Sequence, residues 1–129
     1  MNDTTNNSAP NPIPAIVILG GSALRLAEQV RAALGEAEIH GLALRGGDAD
    51  TSFTEAIPHI AGLFADGRPI IGICAAGILI RALGSALVDK QIEPPVIAVA
   101  KDGSSVVPLL GGHHGANALA RKIAIAIGA

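Results

Sequence analysis

The sequence predicts an α/β domain, a three-layer sandwich in which a mostly parallel sheet is covered by helices on both faces. Two observations carry this expectation. Short runs rich in Ile and Val alternate with longer segments whose apolar residues recur at helical spacing. The short runs are also apolar almost throughout, as in strands buried on both faces, rather than alternating as in strands with one wet face. Glycines close several of these runs, so the sheet is expected to be Rossmann-like, with ligand-binding loops beyond the carboxyl ends of its strands.

The first strand is expected at residues 14–19, ended by Gly20 and Gly21. Ser22 offers a helix N-cap, and residues 23–34 carry a helical apolar stripe that Gly35 stops. A second strand is expected at 38–44, followed by the GGDAD turn at 46–50. Thr51 or Ser52 caps a helix reaching Phe64, weakened, kinked or divided by Pro58. Asp66 and Gly67 turn the chain into the strongest strand, 69–73, whose helix starts near Cys74 or Ala75 and ends before Gly84. Pro94 and Pro95 precede a strand at 96–100; Asp102 and Gly103 then fold a short hairpin arm, 105–109, back on it. The last helix begins within 111–115 and runs through Ala126. Four or five strands result, with the glycine segments 20–22, 72–77 and 111–115 expected on one edge.

The 129 residues, half of them apolar, suffice for one core and leave little for a second. Nine Lys plus Arg against eleven Asp plus Glu exclude the broad positive field of a nucleic-acid binder. The absence of Trp and Tyr, with only two Phe, speaks against aromatic stacking on bases as well. A lone Cys74 allows neither an internal disulfide nor a cysteine metal cluster and agrees with a reducing compartment. Residues 1–12 are polar, Asn-rich and free of Lys and Arg, unlike a signal peptide, and read as a disordered tail before a domain at 13–129. No apolar stretch reaches transmembrane length, so a cytoplasmic location without membrane contact is expected. The closing run IAIAIGA fits a domain taken from a longer polypeptide.

Four groups of residues could carry chemistry. The turn Gly20, Gly21, Ser22 either exposes amides at a helix N-terminus to a carboxylate or phosphate, or is a structural tight turn. It lacks GxGxxG spacing, and no Walker lysine follows. Cys74, in Gly72-Ile73-Cys74-Ala75-Ala76-Gly77, is either a thiol activated at a strand-to-helix turn or a small buried residue. Arg81 shares a helix face with Gly77 and could pair with a carboxylate or face solvent. In Gly111-Gly112-His113-His114-Gly115-Ala116-Asn117, the histidines can move protons near neutral pH or serve as structural hydrogen-bond partners. Asn117 could orient a histidine or bind substrate. HExxH spacing and an acidic partner are missing, so no metal site is expected.

The segment from Ile70 to Ala120 resembles the N-terminal domain of the CbiG family, the cobalt-precorrin-5A hydrolases of cobalamin biosynthesis. CAAGILIR at 74–81, Lys90 before the proline and valine-rich strand, Gly103, and GGHHGANALA carry the resemblance. It implies opening of the ring A δ-lactone of cobalt-precorrin-5A with release of acetaldehyde. On that analogy His113, with His114 and Asn117, is catalytic. Gly20, Gly21, Ser22, Cys74, Ala75, Ala76, Gly77, Arg81, Lys90, Gly111, Gly112 and Gly115 hold the carboxylates and the developing oxyanion. The partner is a corrinoid intermediate whose cobalt belongs to the substrate, with no cofactor in the domain itself. Three features depart from the family: Lys101-Asp102 replaces an acidic pair, Gly111 a common serine, and the loop from His113 to Asn117 is one glycine short. Similar short-loop forms occur fused to precorrin-3B C17-methyltransferase, which would bring S-adenosylmethionine with a methyltransferase domain. The alternative function is therefore corrinoid binding without hydrolysis in such a fusion.

Overall fold

The computed structural model describes residues 12–42, 49–84, 93–112 and 115–129. Strands β1 (Ala15–Ile18), β2 (Glu38–Leu42), β3 (Thr51–Phe53), β4 (Ile70–Ile73), β5 (Val96–Val99) and β6 (Val106–Leu110) form one sheet in the order β3-β2-β1-β4-β5-β6. β3 through β5 are parallel, and β6 turns back antiparallel on β5. Chain order reverses between β1 and β4, where open α/β sheets leave a crevice beyond their carboxyl ends.

Both faces of the sheet are dry, which explains the lack of polar residues in the central strands. One face, with Ile16, Ile18, Ile39, Ile71, Ile73, Ile97 and Val99, is covered through Ala27, Val30, Ala120 and Ile123. The covering helices are α1 (Leu24–Leu34) and α4 (Ala116–Ile127). Ala15, Val17, Ile70, Val96 and Ala98 face α2 (Ala56–Ala65) and α3 (Ala76–Leu83), which contribute Ile60, Leu63, Phe64, Leu79, Ala82 and Leu83. Each fully buried Ile or Leu contributes about 1.5–3 kcal/mol through lost apolar hydration. Gly72 sets how closely α3 lies on β4: a Cβ there would stand 2.7 Å from Leu79 Cδ2.

The architecture expected from the sequence is the one observed, with six strands among the described residues instead of four or five. The additional strand is β3, whose Thr51 pairs with His40 and Phe53 with Leu42. Three residues show no period, so Thr51 and Ser52 resembled helix caps. The helix begins later, at Ala56, which places Pro58 in its first turn, where a missing N–H breaks no intrahelical bond. Ser22 is not an N-cap either; it lies inside a 3₁₀ turn, Gly21–Ala23, that leads into α1.

The hairpin arm is present as β6. Ala100 N donates to Ser105 O at 3.0 Å, and ladder bonds join every second antiparallel pair, so Ile97 and Pro108 form a pair without such bonds. The Pro108 nitrogen therefore faces away from β5, on the outer rim of the sheet. Among the described residues no helix is long and apolar enough to cross a membrane.

Candidate functional site

Three loops meet at the carboxyl edge, because Ile18, Ile73 and Val99 are in register at the ends of β1, β4 and β5. After β1, Gly20 is extended and its carbonyl accepts from Ala23 N at 3.2 Å, leaving Gly21 and Ser22 exposed. After β4, Ala75 is the N-cap of α3 and gives no side-chain cap; Ile78 N donates to Ala75 O at 3.0 Å, and the amides of Ala76 and Gly77 open the helix without a side-chain partner from the cap. After β5, Lys101 to Ser104 form the hairpin turn; Gly103 N donates to Ala100 O at 2.8 Å, and Ser104 N to Asp102 Oδ1 at 3.0 Å. Gly103 lies against Leu26 of α1, so this turn flanks the Gly20 loop.

Three glycines at this edge have no internal reason to be glycine. A Cβ at Gly20, Gly21 or Gly77 would meet nothing within 4 Å, and none of the three has positive φ. They leave open backbone beside exposed Lys101. The edge thus presents unpaired N–H groups, a helix N-terminus and an ammonium group, a set suited to carboxylate or phosphate oxygens.

Cys74 belongs to the packed wall behind this edge. It is 4% exposed, packed in the core with Leu79, and burial pushes its thiol above the ordinary range, opposed in part by Lys101. A thiolate nucleophile is disfavoured there.

The third glycine segment lies at the opposite edge. Because β6 runs backwards, Leu110 pairs with Val96, the first residue of β5, and Gly111 crosses the backbone of Pro94 and Pro95. Strands of four residues separate the edges by about 13 Å. The expectation that the segments 20–22, 72–77 and 111–115 gather on one edge is therefore corrected: the first two do, and Gly111, Gly112, Gly115 and Asn117 are at the amino edge. The hairpin was legible in the sequence, and a reversed strand must deliver the next loop to the far end; that step was the missing one. A cavity of about 650 Å³ opens at the amino edge between Pro14, Glu36, Pro69, Pro95, Gly115 and Leu119.

The family model for the N-terminal region of cobalamin synthesis protein G (cobalamin synthesis G N-terminal) matches residues 58–129, more than half of the chain. The chain belongs to this CbiG family. The cobalt-precorrin-5A hydrolase of Priestia megaterium is 34% identical over 69 residues, 53% of this chain and 18% of that protein. That of Salmonella typhimurium strain LT2 is 43% identical over 67 residues, 51% of this chain and 19% of that protein. The matched stretch is thus about a fifth of each relative's length. A cobalamin biosynthesis protein G homologue from Sulfolobus solfataricus, known from its crystal structure, shares the fold with a TM-score of 0.65 at 20% identity. The shared fold covers 91% of this chain and 35% of that one, so it reaches into the first half, beyond the family match.

Of the residues through which the chain resembles CbiG proteins, Ala75, Ala76 and Gly77 stand at the carboxyl edge. Arg81 is exposed in the last turn of α3, five residues or about 7.5 Å along the helix from its start at Ala76. Lys90, His113 and His114 lie outside the described residues. Lys101 brings a cation to the carboxyl edge, and the sequence marked it only as a departure from the family pattern. The turn Lys101-Asp102-Gly103 after a strand was the available signal, since it places the residue at the strand's carboxyl end. Among the described residues no three His, Cys, Asp or Glu side chains group as a metal site.

Proposed function

We propose that this chain is the corrinoid-binding part of a cobalt-precorrin-5A hydrolase, seating carboxylates of the tetrapyrrole at its carboxyl edge. One observation carries the proposal: Gly20, Gly21 and Gly77 keep backbone open beside Lys101 with no packing or dihedral requirement for glycine. A substrate bearing many acetate and propionate groups suits amide donors and an ammonium, each charge-assisted bond contributing about 1.5–3 kcal/mol. Hydrolysis adds water to the lactone carbonyl and breaks the ring C–O bond, after which the two-carbon fragment leaves as acetaldehyde. The base must stand within about 3 Å of that water. Gly112 and Gly115 stand at the amino edge, and on this reading the base for a lactone held at the carboxyl edge comes from elsewhere in the full-length enzyme.

The amino-edge cavity favours a second reading, in which the loop before Gly115 is itself the hydrolytic site and His113 the base. Two measurements on residues 1–129 separate them, calorimetry with cobalt-precorrin-5A and an acetaldehyde assay. The first reading expects saturable binding, roughly tenfold weaker in Lys101→Ala, and no acetaldehyde. The second expects acetaldehyde from the wild type and a loss of roughly 10²-fold or more in His113→Ala, with Lys101→Ala unchanged. Cys74→Ala leaves corrinoid binding intact under both. Absence of corrinoid binding would refute both.

A further inference from the structure

A partly buried histidine pair lies apart from both edges' loops. His40, in the middle of β2, is 3% exposed and meets His59 of α2, with Nδ1 and Nε2 2.8 Å apart. Its other nitrogen, Nε2, faces Glu38 Oε1 at 3.3 Å. Arg68, in the turn before β4, donates to the same Glu38 oxygen at 2.7 Å and to Ile13 O at 2.8 Å. Phe53 of β3 stacks on His59 with ring centroids 4.4 Å apart and planes 10° from parallel. Asp50, before β3, is the remaining charge acting on His40; it accepts from Ile39 N at 2.8 Å and from Arg31 at 3.0 Å.

The ionised Glu38 fixes the direction of the chain of bonds. With a carboxylate before it, His40 Nε2 carries the proton and donates, so neutral His40 has a bare Nδ1 that accepts from His59 Nε2–H. Every inner polar atom is then satisfied with both rings neutral. A first added proton enters at His59 Nδ1, the nitrogen outside the pair, and the bond survives. A second proton has only His40 Nδ1 to occupy. It would set donor against donor at 2.8 Å and two like charges side by side in a part-buried space.

We propose that the His40–His59 contact is an acid-released tie holding α2 to the sheet. It tolerates one proton and opens on the second. Burial, the largest influence on both rings, disfavours their charged forms; Arg68 adds to this, and Glu38 opposes it at His40. Native rings that protonate less readily than unfolded ones leave the tie intact above the ordinary imidazole value of 6.5 and weaken it as the pH falls below that value. Release loosens α2 while α4, on the other face, stays docked. Since α2 packs along α3, the disturbance reaches the opening amides of α3 at the carboxyl edge.

Hydrogen exchange on residues 1–129, from about pH 7 to about pH 5 and corrected for intrinsic rates, tests the tie. Protection in α2 is expected to fall roughly tenfold more than in α4, the coupled rings titrating in two steps. His59→Gln keeps an amide donor for His40 without a titrating ring and should abolish the difference. In the wild type, ring resonances should show the second step coinciding with exchange broadening in α2, a measurement that decides the matter even where the variant does not fold. Equal loss in α2 and α4, an unchanged response in folded His59→Gln, or independent ring titrations would overturn the proposal. So would stoichiometric Zn²⁺ uptake by the two rings at neutral pH, since the nitrogens would then be ligands.

Discussion

Gly111 and Gly72 are both glycines for reasons of space, yet a methyl group meets different obstacles at each. At Gly111 it would stand 2.6 Å from Pro95 Cα and 2.8 Å from Pro94 O, and the backbone has φ +84°, where a side chain is strained. At Gly72 the obstacle is the end of the Leu79 side chain, which can shift. Gly111→Ala should therefore cost about 3 kcal/mol and Gly72→Ala nearer 1 kcal/mol. Urea unfolding of the two variants checks the order, which matters more than either value. In the sequence Gly111 belonged to a motif and read as a ligand contact; its steric partners, Pro94 and Pro95, are far along the chain and become visible only once β6 folds back. Cys74 was legible as a small residue ending a buried strand, but the choice between thiol and wall needed its burial.

Among the elements, those with a repeated apolar pattern were legible and those without one were not. α1, α4 and the strands β1, β4 and β5 follow from runs such as Pro14-Ala15-Ile16-Val17-Ile18 and Val96-Ile97-Ala98-Val99. β3 was missed because three residues carry no period, and its identity rests on pairing with β2 and on Phe53 packing. That error also misplaced Pro58, which in a helix begun at Thr51 would sit in the interior and cost about 3 kcal/mol. In the first turn of α2 the proline breaks nothing and restricts the unfolded chain. Pro58→Ala is thus expected to lower stability by no more than about 1 kcal/mol. A gain of several kcal/mol in chemical unfolding would mean that the proline strains the helix after all.

For the whole molecule, the order β3-β2-β1-β4-β5-β6 places the switch between β1 and β4, at the carboxyl edge where Gly20, Gly77 and Lys101 stand. The candidate site was half legible: glycine turns after apolar strands locate the carboxyl edge, while the antiparallel return of β6 sends Gly111 and Asn117 to the other. The same return leaves β6 on the rim of the sheet, and a rim strand is a template on which another chain can add its own. Pro108 answers this hazard, because its outward nitrogen has no hydrogen to offer an incoming strand. The opposite rim, β3, is three residues long and too short to nucleate such an addition. Pro108→Val should preserve the fold yet promote self-association on concentration or warming, visible as growing light scattering. One absent hydrogen on one flank and a short strand on the other thus guard the described sheet against open-ended addition of further strands.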